Sequence, residues 1–88
     1  MNKQRREQVK TAIEHLNNAI ESLNEANELL EQVGNEERDA YDNMPEGLQY
    51  SERGCQLEEN ADKLVDYRDT LNDYTSEITD MVDELEQM

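Results

Sequence analysis

From Val9 the apolar positions fall at 9, 12, 16, 19, 23, 26, 30 and 33, an unbroken alternation of three and four residues. That spacing marks a helix holding one seam against another helix. With Val9 as position a, the a row is Val9, Leu16, Leu23 and Leu30, and the d row is Ala12, Ala19, Ala26 and Val33. Large residues in one row and small ones in the other let a neighbouring helix approach closely. Ile13 and Ile20 add a flanking e row. The pattern returns after a break. Leu57, Leu64, Leu71, Ile78 and Leu85 form a second heptad row, with Ala61, Arg68, Thr75 and Val82 as its companion. A third row holds Asn60, Tyr67, Tyr74, Met81 and Met88.

The break contains the only proline, in Asp42-Asn43-Met44-Pro45-Glu46-Gly47-Leu48-Gln49. Pro45 cannot donate to the preceding turn and pushes Met44 to extended geometry, so a helix ends there. Ser51 is a good N-cap, and Glu52 in the first turn suits the dipole. The spacing therefore predicts helix 1 over about 4–42, a turn over 43–50, and helix 2 over about 52–86. Gly34 weakens helix 1 but does not end it, because Ala40, Tyr41 and Met44 continue the register. The two patterns mirror each other about Gly47: Val9 answers Leu85, Leu16 answers Ile78, Leu23 answers Leu71, and Leu30 answers Leu64. Paired residue numbers then sum to 94. The expected fold is all-α, a long antiparallel two-helix hairpin forming a single domain over residues 1–88. The Ile13/Ile20 row and the Tyr67/Tyr74/Met81 row exceed what one two-helix seam can bury. They therefore suggest self-association into a dimeric four-helix bundle.

Charge changes the picture of what such a rod does. The chain has 23 acidic and 8 basic residues, a net charge of −15, and 34% hydrophobic residues. Low hydrophobicity with high charge is a signature of disorder, but a disordered chain has no need of a sustained heptad register. The balance excludes a direct nucleic-acid binder, which needs a basic footprint. It also opposes an anionic membrane surface, and no run of apolar residues is long enough for a membrane span. The partner it suits is a basic protein surface.

Chemistry is sparse. His15 is the only histidine and sits on the seam's edge. Cys55 is the only cysteine, which excludes an internal disulfide, fits a reducing cytoplasmic setting, and reads as a half-buried structural thiol. Glu-x-x-His ligands for a di-metal bundle are missing, and Asp39–Glu46 lacks the spacing and glycine of a calcium loop. No metal, cofactor or catalytic role is assigned.

One surface feature stands out. Opposite the Leu57–Leu85 row, carboxylates fall at Glu59, Asp62, Asp66, Asp69, Asp73, Asp80 and Asp83, with Ser76 the only gap. Like charges at i, i+4 cost helix stability, and aspartate is a poor mid-helix residue. So dense a row exceeds what solubility needs. Regularly spaced anions on a rigid rod imitate a nucleic-acid backbone and could occupy the groove of a nucleic-acid-handling protein. Lys3, Arg5, Arg6 and Lys10 are expected to lie beside Asp80, Asp83, Glu84 and Glu86 in the hairpin, with Lys10 facing Glu84.

The segment Ala40-Tyr41-Asp42-Asn43-Met44-Pro45-Glu46-Gly47-Leu48-Gln49-Tyr50-Ser51-Glu52-Arg53-Gly54 resembles the turn motif of short acidic helical-hairpin proteins of phages and prophages. The likeness covers about 15 residues; the arms match only in heptad character. It implies a viral origin, residence in a bacterial cytoplasm and a host-directed role, and it supplies no site residues. Two functions follow as expectations. One is a non-enzymatic inhibitor of a basic host defence protein, acting through the acidic ridge. The other is a self-assembling structural coiled coil whose acidity serves solubility.

Overall fold

The computed structural model describes residues 1–88. Helix α1 spans Lys3–Asp42, a single turn α2 spans Glu46–Gln49, and α3 spans Glu52–Glu86. The two long helices pack antiparallel as a rod of 68 × 15 × 15 Å with a radius of gyration of 19.8 Å. A compact chain of this length would have a radius near 12 Å, so every residue of the rod lies close to its surface.

Each end of each helix has a chemical reason. The side chain of Asn2 accepts from the backbone N–H of Arg5 at 2.8 Å, capping α1 one residue before the expected start. This cap holds the first turn of α1. Pro45 stands at the N-cap of α2, and Ser51 caps α3 by accepting from Gly54 N–H at 3.2 Å. The Ser51 hydroxyl in turn donates to Leu48 O, and Gln49 Nε2 donates to Tyr41 O at 3.1 Å. These bonds lock α2 against both long helices. Helix α1 continues through Gly34 without a break.

On α3 the seam is the expected one. Ala61 and Val82 are buried, and Leu57, Leu64, Leu71, Ile78 and Leu85 are half-buried. Thr75 tolerates its seam position because its hydroxyl donates to Leu71 O at 2.8 Å.

On α1 the expectation requires correction. Val9, Leu16, Leu23 and Leu30 are half-buried, but their companion row is Ile13, Ile20, Asn27, Gly34 and Tyr41. Ala12 and Ala19 are exposed, and Val33 is 43% exposed. Ile13 and Ile20 therefore belong to the intramolecular seam and are not free for a second chain. Turning α1 by this much exchanges two alanines for two isoleucines at the contact. Each isoleucine brings several more carbons out of water, at roughly 0.8 kcal/mol per methylene when burial is complete.

The register moves with the face. A Cβ on Gly34 would lie 3.4 Å from Leu64 Cβ. Asn60 Nδ2 donates to Glu37 at 3.4 Å, Asn27 Nδ2 donates to Asn72 Oδ1 at 2.6 Å, Arg68 pairs with Glu31 at 3.6 Å, and Arg38 pairs with Asp62. These partners sum to between 97 and 100, not 94. The half-buried and buried positions match in pairs summing to 98: Ile13 with Leu85, Leu16 with Val82, Ile20 with Ile78, Tyr41 with Leu57, Met44 with Gly54. The hairpin pivots about position 49, two residues past the expected Gly47, which moves every partner by four residues, about one helical turn. The first turns of α1 consequently extend past the end of α3. Lys3, Arg5, Arg6 and Lys10 make no ion pair, and the expected Lys10–Glu84 contact is absent.

Asn27 sits in the middle of this seam, with its Oδ1 buried and unpartnered. A polar group there costs stability, but it disfavours sliding the helices to a register in which both amides lose their bond.

Gly34 gives a direct test of seam closeness. It is buried in a helix interior at ordinary helical φ, and an added methyl would meet Leu64 at van der Waals distance. Gly34→Ala is expected to stabilise the fold by about 0.5–1 kcal/mol. A thermal melt should show a midpoint several degrees higher; a lower midpoint would mean that the helices cannot yield at this layer.

Candidate acidic interaction surface

Helix α3 carries the ridge because its seam faces the other way. Positions 57, 61, 64, 68, 71, 75, 78, 82 and 85 point at α1, so the intervening positions at 59, 62, 66, 69, 73, 80 and 83 fall on the back. All seven carboxylates there are exposed. Since α3 is one uninterrupted helix, the row runs about 36 Å, with roughly 5 Å of rise per position.

The ridge is not uniform. Glu59 accepts from Lys63 at 2.8 Å, Asp62 pairs with Arg38 across the hairpin, and Asp69 pairs with Arg68 at 3.2 Å. Hydrogen bonding to Lys63, and then its charge, lowers the Glu59 pKa; the same contact raises that of Lys63. Asp66, Asp73, Asp80 and Asp83 have no cation within 4.0 Å. The compensated carboxylates lie in the turn-proximal half, where Arg38, Lys63 and Arg68 converge. Beyond Arg68, α3 contains seven carboxylates and no lysine or arginine. The unpaired carboxylates of the ridge therefore lie toward the open end, from Asp66 to Asp83. Reading the row by spacing alone gave Glu59 and Asp62 equal weight. Their cations come from i+4 and from the other helix, and only the second needed the fold to be seen.

No protein-family model, curated protein or solved structure gives a significant match to the chain. What the surface does must therefore be argued from its own chemistry.

The other candidate groups offer little to catalysis. No three His, Cys, Asp or Glu side chains gather as a metal site, and no helix is long and apolar enough to cross a membrane. His15 is exposed. Cys55 is exposed too, contrary to the half-buried thiol expected from its place in the first turn of α3. Its position turns away from the seam because Gly54, its neighbour, takes the buried place. Near the turn, Tyr41 is half-buried, and the Arg38 guanidinium stands 6.0 Å from its ring centroid. A hydrogen bond to Glu58, followed by partial burial and the Glu58 charge, raises the Tyr41 pKa, so the phenol stays neutral and serves packing.

The second set of predicted residues divides. Tyr67, Tyr74 and Met81 are 56%, 54% and 51% exposed, as expected for a row outside the seam. Ile13 and Ile20 are withdrawn from it. Val33 of α1 and Tyr67 of α3 line the same groove, together with Glu37, Asn60, Lys63 and Leu64. The α1 row that shares a face with Tyr67 and Tyr74 is thus the displaced one: Ala12, Ala19, Ala26 and Val33.

Proposed function

We propose that the chain is a non-enzymatic, phage-type inhibitor that occupies the nucleic-acid groove of a basic host protein through the back of α3. The single observation that supports this is the straight, exposed row from Asp66 to Asp83, which has no cation at Asp66, Asp73, Asp80 or Asp83. Fixed anions at close intervals along a rod offer a lysine- and arginine-lined groove the same electrostatic reward as a phosphate backbone. Rigidity matters as much as charge, because a preformed row loses little entropy on docking. The resemblance of the Tyr41–Gly54 segment to phage and prophage hairpins supports a host-directed role in a bacterial cytoplasm.

The test uses Asp66→Asn, Asp73→Asn, Asp80→Asn and Asp83→Asn together, because none of these four takes part in an ion pair of the fold. Nucleic-acid-binding proteins of a bacterial host are captured on the immobilised chain, then eluted with salt or with duplex DNA. The wild type is expected to lose its partner to DNA competition and to rising salt. At roughly 0.5–1 kcal/mol per exposed charge contact, the quadruple variant should bind about 100-fold more weakly. Capture that survives both the substitutions and the DNA would sink the mimicry reading. The structural coiled-coil reading would then stand, with the acidity serving solubility.

A further inference from the structure

The acidic back is one face of the rod; a second face has the opposite character. On α1, the side beside the seam presents Gln8, Ala12, His15, Ala19, Ser22, Ala26, Leu29 and Val33, eight successive positions without a carboxylate, all exposed except the half-buried Ala26. Leu29 is 62% exposed there. On the same face α3 presents Tyr67, Tyr74 and Met81. Small side chains thus line one edge of the face and large ones the other.

We infer that this face is covered by a second copy of the chain. Three features select that occupant. A basic partner would find few anions here, Glu37 at the turn-side end of the groove being one, and an acidic one would meet the chain's own negative field. The accessible area is 6752 Å² for 10.3 kDa, whereas a folded monomer of that mass has about 5,400 Å². The excess is more than the roughly 800 Å² per partner that a stable interface buries. Finally, the face complements itself. A two-fold axis parallel to the rod sets the alanine row of one α1 against the Tyr67/Tyr74/Met81 row of the other α3 at the same level. It keeps neighbouring helices antiparallel throughout and brings both turns to one end. An axis across the rod would instead place the two tyrosine rows against each other and leave the alanines facing alanines. The product is a four-helix bundle with the Asp66–Asp83 ridges on its outside.

Sedimentation and spin-label distances test this. At about 100 µM the wild type should sediment at twice 10.3 kDa, and Tyr67→Glu with Tyr74→Glu should reduce it to one chain. The quadruple ridge variant described above should stay dimeric, which separates this surface from the partner-binding one. Cys55, exposed near the turn and the only thiol, accepts a spin label without any substitution. With helix axes roughly 8–10 Å apart and turns together, the two labels should lie within about 35 Å. A monomeric wild type, or a Tyr67/Tyr74 variant that remains dimeric, overturns the assignment of the face. Labels near opposite ends of the 68 Å rod overturn the proposed axis.

Discussion

Gly54→Ala is expected to lower the melting midpoint by well over ten degrees, although alanine is the better helix former. Gly54 is buried in the first turn of α3. A Cβ there would stand 2.4 Å from Gln49 O and 2.7 Å from Leu48 O. Both obstacles are backbone atoms of α2 or its end, so no rotamer change relieves them. Either α2 lifts, breaking the bonds from Gln49 to Tyr41 and from Ser51 to Leu48, or α3 slides and the pairing of Met44 with Gly54 is lost. Overpacking of this kind costs up to about 3 kcal/mol, and each kcal/mol moves the midpoint of a domain this size by roughly 4–8 °C. Gly34→Ala provides the internal control, since the same chemical change in the same kind of helix should act in the opposite direction. A Gly54→Ala melt within two or three degrees of wild type would show that the α2 turn is free to move.

The difference between these two glycines marks the boundary of what the sequence makes legible. Helix existence and ends were readable, because Pro45, Ser51 and the heptad rows act locally. On α3 the seam rows were readable as well, because Leu57 through Leu85 are large and their neighbours are charged. The α1 seam was ambiguous for a physical reason. Both rows beside Val9–Leu30 are partly apolar: Ala12, Ala19, Ala26 and Val33 on one side, Ile13, Ile20, Asn27 and Gly34 on the other. Counting apolar residues favours the first row, because Asn27 and Gly34 look like faults in the second. Buried area decides for the second, and the supposed faults have uses there. Asn27 bonds Asn72, and Gly34 lets Leu64 approach. The register error of one turn follows from the same choice. The role of Gly54 was hidden because it depends on where α2 folds back, which no periodicity encodes.

Charge placement was legible in outline and not in detail. The back of α3 was readable as a row, since spacing alone sets its angle from the seam. Which carboxylates are bare depends on Arg38 reaching Asp62 across the hairpin, and on the register in which Lys3, Arg5, Arg6 and Lys10 pair with none of them. With a register of 94, those four cations would have neutralised the open end. With the observed one, Asp73, Asp80 and Asp83 stay unpaired, while Arg6 and Lys10 line the cleft beside Leu85, Glu86 and Met88. The rod is therefore electrically graded along its length. A partner that reads the ridge would meet its unpaired carboxylates in the half away from the turn.

Ile13→Ser with Ile20→Ser is expected to unfold most of the chain at 25 °C, whereas Ala12→Ser with Ala19→Ser should leave its helicity intact. The two isoleucines pair with Leu85 and Ile78 at the open end of the hairpin, where no turn or cross-helix ion pair assists. Only four residues of the chain are buried, and only Ala61 and Val82 among them are apolar side chains; half-buried residues therefore supply most of the seam. Removing each isoleucine forfeits about 1.5 kcal/mol of partial burial, and each new hydroxyl adds a desolvation cost of roughly 1 kcal/mol unless it bonds its own backbone as Thr75 does. A loss near 4 kcal/mol approaches the whole stability of a small domain. Serine at 12 and 19 lies outside the intramolecular seam, is nearly as small as alanine, and costs the hairpin little beyond helix propensity, about 0.5 kcal/mol per site. Far-ultraviolet circular dichroism at 25 °C separates the two doubles. Unfolding by the alanine pair with survival of the isoleucine pair would restore the alanine seam and the register centred on Gly47. That outcome would also return Ile13 and Ile20 to the outer surface, and with the register of 94 it would bring Lys10 back beside Glu84.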